Sequence, residues 1–157
     1  MIAKQIIRSI LLLIILGSLA MWAHREYQRS QAAPNPSGME VLPAIDGDQV
    51  IMTYFISGTR CTSCKRIESL ARETAEKDFS SELAGKTLVF RVIDTGELGH
   101  EHFIRDYQIT SKTVILSHRR NGKEVAWKDM AAVWDLLDDP PGFHRYLGTQ
   151  IRHYLGT

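Results

Sequence analysis

Residues 51–64 have the sequence IMTYFISGTRCTSC, in which an apolar run leads into a turn that carries the two cysteines of the chain, Cys61 and Cys64. The run 51–56 is typical of a buried strand, because it is short, uncharged and rich in β-branched and aromatic residues. The pattern of residues 65–78 predicts an amphipathic helix. A helix N-terminus offers free N–H groups and partial positive charge, which stabilise a thiolate. We therefore expect the functional site at Cys61 and Cys64.

The overall composition excludes some classes of function. The chain has 157 residues, of which 44% are hydrophobic and 24% are charged, and its formal net charge is +1. A chain so close to neutral lacks the basic surface that nucleic-acid binding requires, so we expect no nucleic acid as a partner. Two cysteines cannot build a scaffold of several disulfides, so the fold must depend on its hydrophobic core.

The N-terminal residues predict a membrane segment. Residues 10–23 are uncharged and mostly apolar, and the run approaches the length of a membrane span if it is counted from residue 6, with Arg8 reaching toward the interface. The small-residue rule for cleavage is poorly met, because bulky Met21 lies two positions before Ala23. We predict a signal anchor within residues 1–24 that contacts the membrane through residues 6–23, with a cleaved signal peptide as the alternative. The expected location is the bacterial inner membrane, single-pass, with the soluble domain outside the cytoplasm, where a cysteine pair can cycle through a disulfide.

The rest of the chain predicts one α/β domain. Residues 25–48 contain a stretch rich in proline and small residues and are expected to form a linker, and residues 49–157 form the domain. After the first strand and helix we predict strands at 88–93, 113–117 and 124–128, the last two joined by an Asn121-Gly122 hairpin, and helices at 98–107, 130–137 and 143–155, with Pro140-Pro141 as an interruption. This order indicates a mixed sheet with helices on both faces.

Several motifs resemble those of the thioredoxin-like superfamily. They are the CxxC pair at the first strand-to-helix junction, Tyr107-Gln108-Ile109, the strand that starts at Thr113, and the hairpin Asn121-Gly122-Lys123-Glu124. The resemblance covers roughly residues 50–137. It implies a thioredoxin-like fold and thiol–disulfide exchange.

A narrower likeness concerns residues around the same motifs. Residues 60–68 (RCTSCKRIE), 102–107 (HFIRDY), 111–114 (SKTV) and 122–128 (GKEVAWK) are similar to small envelope proteins known as the ArsF-type subunit of nitrophenyl-compound nitroreductase. The likeness implies a part in reducing nitroaromatic or arsenical compounds. The sequence contains no motif for a flavin site, so nitro reduction would need a partner such as another envelope redox protein or a membrane reductase complex.

The chain also departs from thioredoxin at several positions, among them Thr62-Ser63, which stand in place of the family's Gly-Pro between the cysteines. Lys112 or Ser111 stands near the place of the cis-proline that lies against the CxxC pair in that family. Phe55 or Tyr54 takes the place of the buried acid, and Arg60 replaces the tryptophan before the first cysteine. These departures weaken the case for a general disulfide reductase and leave metal binding open.

The residues predict distinct roles for the two sulfurs. Cys61 lies nearer the turn and should be the attacking thiol, supported by Arg60 and Lys65, whose charges favour a thiolate. Cys64 lies one turn into the helix and should resolve the mixed disulfide. Lys112 is expected beside this loop, where it either orients an anionic substrate, raises the thiolate population or is a plain exposed lysine. The redox-active disulfide would be the only cofactor.

Two alternatives use the same cysteines without catalysis. One is a non-enzymatic accessory subunit or a soft-metal protein that binds copper or arsenic, and the other is a static disulfide or an idle thiol pair. No histidine lies near the cysteines in sequence, and His100 and His102 should point to different faces, so no metal site is expected. Trp127, Trp134 and Phe143 are expected to be core and helix-packing residues.

Overall fold

The computed structural model describes residues 45–156. These residues form β1 (Asp48–Ile56), α1 (Thr62–Asp78), α2 (Ser80–Ala84), β2 (Leu88–Asp94), α3 (His102–Asp106), β3 (Thr113–Arg120), β4 (Lys123–Asp129), a 3₁₀-helix (Ala131–Trp134) and α4 (Pro140–Leu155). The predicted anchor at residues 1–24 and most of the predicted linker at 25–48 lie outside the described residues. No helix within 45–156 has both the length and the apolar composition that crossing a membrane requires.

The four strands form one mixed sheet in the order β2-β1-β3-β4. The central strand β1 pairs with β2 in parallel and with β3 antiparallel, and β4 returns antiparallel along the edge of β3. A parallel strand–helix–strand unit followed by an antiparallel hairpin and a final helix is the thioredoxin-like arrangement. The predicted fold, a mixed sheet flanked by helices, is therefore confirmed.

Alternating residues of β1 divide the core between two faces of the sheet. Val50, Met52, Tyr54 and Ile56 join a large cluster that α1 and α4 cover, and Phe143, Leu147 and Ile151 are fully buried there. Phe55 points to the other face, where it joins a smaller cluster with Phe103 of α3. β1 ends at Ile56, where the chain leaves the sheet. The loop that follows carries the cysteines.

Several predicted boundaries need correction. α1 begins at Thr62 rather than at residue 65, because Cys61 already acts as its N-cap. α3 spans only five residues and the segment predicted at 130–137 is only a 3₁₀-helix, Ala131–Trp134. The sequence pattern did not predict α2 at all.

The prolines predicted to interrupt the chain begin α4 instead. Asp139 is the N-cap, and its side chain accepts a hydrogen bond from the N–H of Gly142 at 3.0 Å. Proline is favoured at the first helical positions, because the missing N–H would have no partner there and its fixed φ suits a helix. Pro140-Pro141 therefore marks a helix start.

The prediction for the aromatic residues holds for two of three. Phe143 is fully buried and Trp134 packs against the large cluster. Trp127 is not a core residue: it lies on the edge strand β4, is 36% exposed, and meets the ring of Tyr107 edge-on at 5.4 Å. Every residue of β4 is exposed, so the apolar residues of this strand lack a covering layer among residues 45–156.

Candidate functional site

Cys61 and Cys64 are joined in a disulfide at the N-terminus of α1. Cys61 has extended backbone angles and caps the helix, and its sulfur accepts a hydrogen bond from the N–H of Cys64 at 3.1 Å. Cys61 is exposed, whereas Cys64 is only 2% exposed and belongs to the core. The bond thus links one sulfur that a partner can reach with one that it cannot.

The charges at this helix terminus favour a thiolate in two ways. The first turn of α1 contains no acidic residue, so the partial positive charge of the helix N-terminus is uncompensated there. Lys65, in the same turn, is exposed. Both features act on an anion at the start of the helix, which is where the sulfur of Cys61 lies.

Arg60, which was expected to provide a cation beside Cys61, is engaged in an ion pair. Its Nη1 atom lies 2.7 Å from Oε2 of Glu68. The other carboxylate oxygen of Glu68, Oε1, lies 3.5 Å from Nη2 of Arg72. Glu68 is two turns into α1, so the ion pair draws the Arg60 side chain along the helix. The carboxylate offsets part of the positive charge that Arg60 brings to the loop.

Lys112 reaches the buried sulfur of the pair. Its ammonium donates a hydrogen bond to the backbone carbonyl of Thr59 and lies 3.6 Å from Sγ of Cys64. Its own backbone carbonyl accepts a hydrogen bond from the indole N–H of Trp134 at 2.7 Å. The structure thus brings Lys112 to the CxxC loop and fixes it from both ends. The described residues contain no cis peptide bond, so the segment before β3 has a different local geometry from the one that the family resemblance implies.

Tyr54 is, with Phe55, one of the two buried positions on β1 at which the thioredoxin resemblance implies an acid. Its side chain is fully buried, and its hydroxyl has no hydrogen-bond partner among residues 45–156. Burial raises the pKa of Tyr54 to about 12, and the nearby carboxylate of Glu68 acts in the same direction. The phenol therefore stays protonated at neutral pH and cannot take a proton from a thiol as a carboxylate would.

A small cavity opens beside the same end of the sheet. It has a volume of about 150 Å³ and is bounded by the end of β1 at Phe55 and Ile56, by Thr95, and by the segment from Ile109 to Lys112. The cavity is mixed in character, because the hydroxyls of Ser57, Thr95, Thr110 and Ser111 line it together with apolar side chains. It is too small for a flavin but adjoins the residue that touches Cys64.

His100 lies before α3, so the helical spacing behind the prediction for His100 and His102 does not apply, and the two imidazoles bind different partners. Nδ1 of His100 lies 2.9 Å from the carbonyl oxygen of Asp94, whereas Nδ1 of His102 lies 2.9 Å from a carboxylate oxygen of Asp106. Within 45–156, no three residues of the metal-ligating types His, Cys, Asp and Glu come together. The copper or arsenic alternative remains a prediction that rests on the two sulfurs alone.

Sequence reasoning did not identify three contributors to the site. They are Glu68, which pairs with Arg60; the carbonyl of Thr59; and the indole of Trp134, which holds Lys112. Glu68 carries a partial signal, since it lies seven residues after Cys61 and therefore near the same face of the helix. The other two contacts join distant segments and leave no local pattern.

Comparison with known proteins finds similarity to solved thioredoxin structures at low sequence identity. No protein-family model matches the chain, and no curated protein matches it. Among solved structures, a thioredoxin of Fasciola hepatica is 20% identical, with a TM-score of 0.38, over 64% of this chain and 83% of that one. Thioredoxin f2 of Chlamydomonas reinhardtii is 15% identical, also with a TM-score of 0.38, over 68% of this chain and 94% of that one. These values are low, so the thioredoxin-like fold is defined here by the strand order and by the place of the disulfide.

Proposed function

We propose that this protein is a thiol–disulfide oxidoreductase that acts through Cys61 and Cys64. One observation carries the proposal: the disulfide joins an exposed cysteine at a helix N-terminus to a cysteine buried one turn later. A structural bridge needs no such asymmetry. An exchange reaction does, because only one sulfur must meet the partner while the other must be protected until it resolves the intermediate.

The exchange proceeds in two balanced steps. A partner thiolate attacks Sγ of Cys61, a bond forms between the two sulfurs, the Cys61–Cys64 bond breaks, and its electron pair remains on Cys64 as a thiolate. A second thiolate of the partner then attacks the partner's own sulfur in the mixed disulfide and releases Cys61 as a thiolate. The partner is oxidised to a disulfide and the Cys61–Cys64 pair is reduced; the reverse sequence reduces a partner disulfide.

The proposal extends to the cellular setting on the strength of sequence features. The apolar segment at residues 6–23 supports a domain tethered to the bacterial inner membrane and held outside the cytoplasm. The likeness to the ArsF-type subunit supports a place in a system that reduces nitrophenyl compounds. In that system the protein would pass reducing equivalents to or from another envelope redox protein or a membrane reductase complex.

Trapping of a mixed disulfide tests the proposal. In the Cys64→Ser variant the resolving sulfur is missing, so a partner should remain bound to Cys61 and appear as a reducible adduct on a non-reducing gel. The Cys61→Ser variant is the matched control, because the remaining Cys64 is buried and should trap little or nothing. If neither variant forms an adduct and both retain the activity of the native protein, the proposed function is wrong.

A further inference from the structure

Lys112 is fixed in a position that an ordinary surface lysine does not have. Its side chain is half-buried, its ammonium contacts Sγ of Cys64 at 3.6 Å, and the carbonyl of Thr59 holds the same nitrogen. Trp134 anchors the backbone of the residue by a hydrogen bond of 2.7 Å. A long flexible side chain loses conformational freedom in such an arrangement, so a compensating interaction is expected. In the disulfide state the sulfur is neutral and offers little compensation.

The interaction becomes strong once the disulfide opens. We propose that Lys112 is a positioning residue of the exchange reaction, whose ammonium stabilises the thiolate released on Cys64 when a partner thiolate attacks Cys61. This inference rests on the proposed function, since it concerns the leaving group of that reaction. The electron pair of the broken Cys61–Cys64 bond then lies on a sulfur that already has a cation within contact distance. Charge-assisted hydrogen bonds of this kind are about twice as strong as neutral ones.

Because of this contact, the charge of Lys112 acts on the sulfur of Cys64 rather than on that of Cys61. The other charged groups near the turn do not serve Cys64 in the same way: Arg60 is paired with Glu68, and Lys65 is exposed to solvent. On the strand behind, Tyr54 presents a neutral phenol at physiological pH, because burial raises its pKa to about 12. Lys112 is thus the cation placed to make Cys64 a good leaving group in one direction of exchange and a ready nucleophile in the other.

A purely structural role makes a different prediction. Lys112 could act only as a strut that ties the loop at Thr59 to the segment before β3 through its hydrogen bond. The Lys112→Gln variant separates the two roles, because an amide can still donate to the Thr59 carbonyl but carries no charge. Lys112→Arg keeps the charge, and Lys112→Met removes both functions. Lys123→Met is the matched loss of charge. Lys123 lies at the opposite end of the sheet, about 25 Å from Lys112 along the length of β3.

The experiment measures the Cys64 thiolate directly. In a reduced Cys61→Ser background Cys64 is the single thiol, and its thiolate fraction follows from ultraviolet absorbance across a pH series. We expect Lys112→Met and Lys112→Gln to lower that fraction by at least about tenfold below the titration midpoint, because a unit charge at this distance has that effect even at the dielectric constant of bulk water. Lys112→Arg should restore most of it, and Lys123→Met should match the parent. In the two-cysteine protein, the uncharged variants should also slow reduction of the disulfide by 2-mercaptoethanol, because the leaving thiolate is less stable.

Two results would overturn the inference. One is an unchanged thiolate fraction in both Lys112→Met and Lys112→Gln. The other is full recovery by Lys112→Gln of whatever Lys112→Met loses, which would identify a strut. Neither result bears on the proposed function, since trapping through Cys61 is measured with Lys112 intact. Conversely, failure to trap any partner would remove the proposed function, and the titration of Cys64, which needs no partner, would still show whether Lys112 stabilises its thiolate.

Discussion

The buried hydroxyl of Tyr54 allows a test of the core that packs against the central strand β1. This oxygen is fully buried on the central strand and has no hydrogen-bond partner within residues 45–156. A buried polar group without a partner costs about 1–3 kcal/mol of stability. Tyr54→Phe removes the oxygen and keeps the ring, so it should relieve that cost at the expense of a very small void.

We expect Tyr54→Phe to raise the free energy of unfolding by about 1 kcal/mol, the lower end of that range, because the void and altered contacts offset part of the gain. For a domain of this size, such a gain corresponds to a rise of roughly 4 °C or more in Tm. Urea unfolding of the disulfide-bonded protein, followed by tryptophan fluorescence, measures the change as a shift in midpoint at constant slope.

Tyr107→Phe is the matched control. The hydroxyl of Tyr107 donates a hydrogen bond to Oε2 of Glu124 at 2.6 Å, so the same deletion should here lower stability, by about 0.5–1.5 kcal/mol, because the exposed carboxylate is partly screened by solvent. We therefore expect the free energy of unfolding to change in opposite directions in the two variants. If Tyr54→Phe instead lowered the free energy of unfolding by about 1 kcal/mol or more, the buried hydroxyl would have a partner and the prediction would be refuted.

Two further predictions concern residues away from the cysteines. Asp139→Ala removes the N-cap acceptor of the Gly142 N–H and should cost about 1 kcal/mol in urea unfolding, whereas Asp139→Asn should cost far less; equal losses would contradict a capping role. Hydrogen bonds from His118 and Arg120 hold the pKa of Asp48 below its usual 3.8, so its stabilising effect is fully present above that pH and is lost as pH falls through the lower native value. The stability difference between the native protein and Asp48→Asn should therefore shrink in acid, and a constant difference from neutral pH down to about pH 2 would be inconsistent with this linkage.

The parts of the fold that the sequence predicts are those with a local pattern. Mostly apolar runs mark β1, β2 and β3, the helical periodicity after Cys61 marks α1, and Asn121-Gly122 marks the hairpin, where both residues have positive φ. The strand order follows from these elements, because a parallel unit and a hairpin permit few arrangements. The cysteine pair at the start of α1 could likewise be found from its CxxC spacing alone.

The parts that it misses depend on context that a local pattern does not carry. Pro140-Pro141 is compatible with both a break and a helix start, and the capping side chain of Asp139 decides between them. Trp127 has the composition of a core residue but lies on an edge strand that no helix of residues 45–156 covers. The exposure of a residue depends on which elements lie over it, and a single sequence does not state that.

The electrostatics of the site were harder to predict for the same reason. Lys112 and Cys64 are 48 residues apart, so their contact exists only once β1 and β3 have paired. Arg60 was expected to act on Cys61, but its pairing with Glu68 leaves less of its charge for the sulfur. The sequence therefore indicates which cations are near the turn, and the fold decides which sulfur each of them affects.

The reduction potential of the Cys61–Cys64 couple tests the central claim most directly. It is measured by equilibration of the protein with glutathione or dithiothreitol redox buffers and quantification of the oxidised fraction. We predict a value above about −300 mV, as found for exchange-active pairs, whose potentials run from about −270 mV in thioredoxin to about −120 mV in a strong periplasmic oxidant of thiols. A value well below about −300 mV would identify a bridge that resists reduction, and would contradict a role in thiol–disulfide exchange.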